Sequence, residues 1–171
     1  MIDPRRHAEH RGGIESLLRS IPGFRGYLEK DYRQESDHLL RQWIAERLQQ
    51  SKRPLDQAMV ALIESGRMDR LNTWERVKRQ LDALALRFRS VVRGYSGFFD
   101  YVRVDENLLN QIYEHDATLV QSVDKLAAAI EQTAGGADVP EATVRQWLRQ
   151  IEDLDHGLTQ RSQMLKGISS R

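Results

Sequence analysis

Apolar residues recur along most of this chain at alternating steps of three and four, the spacing that lines one face of an α-helix. The cleanest run is Trp74, Val77, Leu81, Leu84, Phe88, Val91 and Tyr95, which predicts a helix over residues 67–93 with a coiled-coil-like heptad seam. A second seam, Leu109, Ile112, Asp116, Leu119, Val123, Leu126 and Ile130, follows a candidate N-cap at Asp105 and predicts a helix over 105–133. Asp116 is its only polar member. A third follows Asp138, Pro140 and Glu141, residues suited to a first helical turn, and predicts a helix over 139–168. It reads Val144, Trp147, Ile151, Leu154, Leu158, Arg161, Leu165 and Ile168, and Arg161 alone interrupts it.

Ahead of these three, Leu28, Tyr32, Leu39, Leu40, Trp43, Ile44 and Leu48 share a face, and Glu35 falls on the same stripe. They predict a helix over 27–65. Pro54 should kink or break it, since proline lacks the amide donor and its ring crowds the preceding turn. Ile44, Leu48, Ser51, Leu55, Met59 and Leu62 nevertheless hold one phase across the proline, and Gly66 is the natural stop. Residues 1–13 are polar, basic and closed by Gly12-Gly13, and they read as a flexible arm. Ile14, Leu17, Leu18 and Ile21 then mark a short amphipathic turn ended by Pro22-Gly23. The resulting expectation is an all-α protein: a single domain over 14–171, folded as an antiparallel up-down-up-down four-helix bundle.

Charge adds a pairing. Residues 67–93 carry eight basic and three acidic side chains, and residues 105–131 carry six acidic and one basic, so these two helices should attract one another as neighbours. Each exposed pair contributes only about 0.2 to 1 kcal/mol, so charge selects the partner while the seams stabilise it. Asp116 and Arg161 should pair across the last two helices. At about 1.5 Å per residue, they lie roughly 28 and 33 Å from the turn between those helices, a mismatch an arginine side chain spans.

The bulk composition narrows the function classes more than it selects one. Over 171 residues, 40% are hydrophobic and 30% charged, and the net charge is +1, too small to steer the chain as a whole to nucleic acid or an anionic membrane. The mean hydropathy is −0.61. The absence of cysteine removes disulfides, thiolate catalysis and Cys-ligated metal sites. No apolar core of a signal peptide and no run of about 18 apolar residues occurs, which reads as a cytoplasmic protein without a transmembrane segment.

Three stretches carry candidate chemistry. Glu35 and His38 have the E-x-x-H spacing that ferritin-like di-iron bundles use on each of two helices, but the nearest second copy is Asp153 with His156, and both histidines sit among polar neighbours. No metal or cofactor is expected from them. Asp116, a carboxylate in an apolar seam, is the one candidate for acid or base work; a structural ion pair is the simpler reading, so no catalytic residue is assigned. Around the connector Arg93–Arg103, Tyr95, Phe98, Phe99 and Tyr101 place four of the chain's twelve aromatic residues within seven positions. Phe24 and Tyr27 fall at the same end of the expected bundle. These six residues define an aromatic end that either plugs the bundle or docks a protein partner. Asp116, Arg161 and Glu35 are the expected buried polar residues. The pattern points to a non-enzymatic interaction or scaffold protein binding a protein partner or itself. A ferritin-like metal-binding bundle is the alternative and a membrane-surface protein the third reading, with nucleic acid disfavoured by the acidic residues among the arginines.

Overall fold

The computed structural model describes the backbone of residues 4–90, 106–134 and 138–169. Every regular element among them is helical: α1 (Pro4–Ser20), α2 (Lys30–Glu64), α3 (Leu71–Ser90), α4 (Glu106–Ala134) and α5 (Glu141–Ser169), with a short 3₁₀ turn at Met68–Arg70 before α3. The chain gathers into two compact units. Unit one comprises residues 1–43, 91–121 and 157–171; unit two comprises 44–90 and 122–156.

Unit one begins with a departure from the expected arm. Helix α1 starts at Pro4 and continues through Gly12 and Gly13. Proline suits a first helical position, because its missing amide would find no partner there. Gly13 answers a packing need: a Cβ at this position would lie 3.2 Å from the carbonyl oxygen of Tyr113 and 3.3 Å from the amide of Glu114. Gly13, expected as the close of a flexible arm, is where α1 comes close to α4. Leu17, Ile21, Phe24, Leu40, Leu109, Ile112, Leu158 and Leu165 form the apolar part of the core, all at or below 4% exposure.

Helix α2 starts three residues later than its seam predicts, and the cause is local. Arg33 reaches back and donates from Nε to the carbonyl of Tyr27 at 2.5 Å and from Nη2 to that of Leu28 at 3.1 Å, holding that segment as a turn. Pro54 lies inside α2 and does not end it. The helix stops at Gly66 (φ +75°) in a Schellman motif, with the amide of Arg67 on the carbonyl of Leu62 at 2.9 Å and that of Gly66 on Ile63 at 3.1 Å.

In unit two the seams meet as an apolar core of Ile44, Leu48, Leu55, Val77, Leu81, Phe88, Val123, Leu126, Ile130, Trp147 and Ile151, each at or below 3% exposure. Burying each such side chain is worth about 1.5–3 kcal/mol before the entropy of ordering it. Trp74 stands edge-on to Trp147, ring centres 5.8 Å apart at 83°. Among the described residues, several surface ion pairs take routes other than the one net charge suggested. Lys78 of α3 pairs with Asp56 of α2 and Arg87 of α3 with Asp155 of α5, while Asp124 and Glu131 of α4 share Arg47 of α2. Summed charge along a helix says little about which individual side chains reach one another.

Candidate functional site

The two charged interruptions of the seams meet inside unit one. Arg161 donates from Nε to Oδ1 of Asp116 at 2.7 Å and from Nη2 to Oδ2 at 3.3 Å, a two-pronged contact with both residues at or below 1% exposure. Tyr27 donates its hydroxyl to Oδ2 of Asp116 at 2.6 Å and accepts from Arg161 Nη2 at 3.3 Å. A second carboxylate, Asp37, sits with Oδ1 at 2.7 Å from Arg161 Nη2. That contact is an ion pair without an aligned hydrogen bond, and Oδ1 of Asp37 has no hydrogen-bond partner. Its other oxygen accepts from Arg41 Nε at 3.0 Å. Two carboxylates are thus matched by two guanidiniums, which is how charges persist in a core.

A frame of rings and turns holds the cluster. Tyr113 stacks on Tyr27 with centres 5.2 Å apart and planes 9° from parallel, and its hydroxyl accepts the Tyr27 amide at 2.6 Å. Gly26 makes that bond possible: it has φ +85°, and a Cβ there would lie 2.7 Å from the Tyr113 hydroxyl. Burial, and then the negative charge of Asp116, push the Tyr27 phenol well above its ordinary pKa. It remains a protonated donor at neutral pH. Burial by itself would lower the pKa of Arg161, but Asp116 and Asp37 outweigh it, so the guanidinium is held charged more firmly than usual. The cluster is balanced in charge and its members Tyr27, Asp37, Asp116 and Arg161 are buried. Its contacts are ones that a shift of the helices along their axes would break, leaving the charges without partners.

The remaining expected site residues fare differently. Glu35 is exposed; the buried stripe of α2 passes through Arg33, Ser36, Asp37 and Leu40 instead. His38 and His156 are exposed, and His115 is half-buried with Nε2 at 2.8 Å from the carbonyl of Gly157. Among the described residues no group of three or more His, Asp or Glu side chains is placed to hold a metal ion. Phe24 and Tyr27, expected on a docking surface, are buried at 4% and 0% exposure with their rings edge-to-face at 5.4 Å. Core contacts consume both faces that a partner would need. Tyr95, Phe98, Phe99 and Tyr101 lie outside the described residues.

Unit two holds a surface that the sequence reading passed over. Leu55 is the last buried residue of α2, yet the helix continues through Ala58-Met-Val-Ala-Leu-Ile63, six apolar residues of which none is buried. Val60 and Ile63 are 54% and 53% exposed, as is Met68 just beyond at 59%. Beside this stretch is an open groove of about 540 Å³ lined by Ala58, Ala61, Leu62, Trp74, Ala134 and Val139, with Arg67, Arg70 and Asp138 among its polar wall. Arg67 is paired with Asp138, whereas Arg70 donates from Nη1 to the carbonyl of Val139 at 3.2 Å and has no carboxylate partner among the described residues. Unbroken apolar character across a helix end was the signal available; it was absorbed into the seam through Met59 and Leu62.

No family model matches the chain, and no curated protein or solved structure does either. No helix among the described residues is long and apolar enough to cross a membrane.

Proposed function

We propose that this chain is a non-enzymatic interaction protein of the cytoplasm that binds a protein partner or itself, and that its contact surface is the end of α2. One observation carries the reading. A helix apolar around its whole circumference belongs in an interior, and the turns Ala58–Ile63 have that composition with no residue buried. The buried acid–base cluster favours the same conclusion, because its only candidate catalytic groups are neutralised and closed off. For unit two we further infer an up-down-up-down arrangement. Contacts of Gln49 and Lys52 with Asp82, and of Asp56 with Lys78, support antiparallel α2 and α3; Trp74 with Trp147 and Arg87 with Asp155 support parallel α3 and α5. A bend of α2 at Pro54 fits the missing amide.

The test is photo-crosslinking in the native cell from a benzophenone residue placed at Ile63, which is exposed and outside the core. The expected result is a discrete crosslinked protein, or a crosslinked copy of this chain. Crosslinking only to solvent, with stoichiometric iron, manganese or zinc that is lost in Glu35→Ala and His38→Ala, would replace this reading with the metal-binding one. Flotation with anionic liposomes in place of a protein crosslink would replace it with the membrane-surface one.

A further inference from the structure

We propose that the groove of unit two receives an amphipathic helix from a different protein, one that carries an aspartate or glutamate beside its apolar ridge. This deepens the interaction reading and rests on it. The volume of about 540 Å³ has room for several side chains, the requirement of a ridge with anchors at i, i+3, i+4 and i+7. Ala58, Ala61 and Leu62 are the part of the apolar lining that solvent reaches, the two alanines leaving room for a backbone to approach, while Trp74, Ala134 and Val139 form a buried floor beneath them. Trp74, edge-on to Trp147 and buried, fixes the floor of the groove.

Charge then selects the occupant. Arg70 is half-buried in the groove wall, spends one N–H on a neutral carbonyl, and makes no ion pair among the described residues, although Asp138 lines the same wall. Arg67 beside it is shared with Asp138. A carboxylate on the incoming helix would complete the guanidinium with charge-assisted hydrogen bonds, whereas a neutral or basic helix would leave it desolvated and unpaired. A second copy of this chain fits less well. At 3.6 residues per turn, the exposed ridge of Val60 and Ile63 lies about half a turn around α2 from Ala58, Ala61 and Leu62. A ridge-into-groove contact between copies would therefore be head-to-tail, leaving a groove open at the end of any assembly that does not close into a ring.

The experiment uses the purified full chain and a fluorescent synthetic amphipathic helix of about 16 residues, long enough to be helical, with a leucine ridge and one flanking glutamate. Binding is measured by anisotropy against the same probe with that glutamate changed to glutamine. The acidic probe is expected to bind about tenfold more tightly. Arg70→Gln should abolish the preference between probes, and Ala61→Trp, which fills the groove from an exposed position, should abolish binding of both. Equal affinity for the two probes, or a preference that survives Arg70→Gln, overturns the proposal. So does saturable binding of dodecanoate with no probe binding, which would make the groove a small-carboxylate site. Concentration-dependent growth into open-ended species by sedimentation would make a second copy the occupant. If Ile63 crosslinks to a partner while the acidic probe fails, this inference falls and the interaction reading stands; if no crosslink forms, the reading itself falls.

Discussion

In unit one the innermost groups are two carboxylates, a guanidinium and a phenol, whereas in unit two the same depth is filled by Leu, Val and Trp, with Ser51 the only buried polar residue among those described. Ser51 satisfies itself by donating to the carbonyl of Leu48 at 2.6 Å. The difference separates two jobs that cores perform. Apolar seams supply stability in proportion to the area they bury, but a heptad repeat slid by seven residues finds much the same surroundings. Charged groups add little net stability and accept one alignment only, since any other strands them without water.

The comparison breaks most visibly at Arg161. Arg161→Leu should cost about 3–5 kcal/mol in denaturant unfolding, because Asp116 and Asp37 lose their common partner. The double change Asp116→Leu with Arg161→Leu should cost less than that single change, Asp37 keeping Arg41. Losses that simply add would show that the four groups do not act as one cluster. In unit two, Leu81→Ala should cost about 3 kcal/mol, while Leu81→Met should stay below about 1.5 kcal/mol, because only shape is at stake there. Similar losses for both changes would contradict an apolar core.

A gentler probe is alkaline pH. A phenol whose folded pKa lies above its unfolded value stabilises fully below about pH 10 and loses that contribution as pH rises through the folded value. Tyr27 is such a group, and Tyr113, also raised by burial, acts with the same sign. Melting temperature should therefore fall above about pH 10 in the native protein and fall less in Tyr27→Phe, which at neutral pH costs about 1 kcal/mol for the lost hydrogen bond. An identical alkaline slope in the two proteins would remove Tyr27 from the account. The smallest effect belongs to the surface of unit two. Arg47→Ala should cost only about 0.2–1 kcal/mol, and less at high salt, since Asp124 and Glu131 stay hydrated without it.

Sequence periodicity placed the long helices within a few residues because their seams are strict, and it paired Asp116 with Arg161 because a lone charge in a seam needs a counter-charge at its own depth. It missed Asp37, although the signal was present. Asp37 lies seven residues before Ile44, on the line that continues to Ser51, but the E-x-x-H spacing drew the reading to Glu35, on a nearly opposite face of the helix. Tyr27 was legible as an aromatic residue and illegible as a buried donor, because its role depends on Gly26 and Tyr113, the latter 86 positions away. Helix α1 was hidden by Gly12-Gly13, and the purpose of Gly13 appears only when α4 is beside it. The groove of unit two was hidden by the quality of its own pattern: a seam says which residues can be buried, and only the fold says where the covering helices end.

The hydrogen bond from Arg161 to Tyr27 joins residues 134 positions apart, and this distance sets an order of events during synthesis. Unit two draws on two stretches, the later ending at residue 156, so it too waits for most of α5. Unit one draws on three separated stretches, and until Arg161 has been made, Asp37 and Asp116 have no common cation to gather around. A nascent chain stalled before that residue should expose the apolar surfaces of α1 and of the first turns of α4, and present them to chaperones, for as long as the arginine is missing.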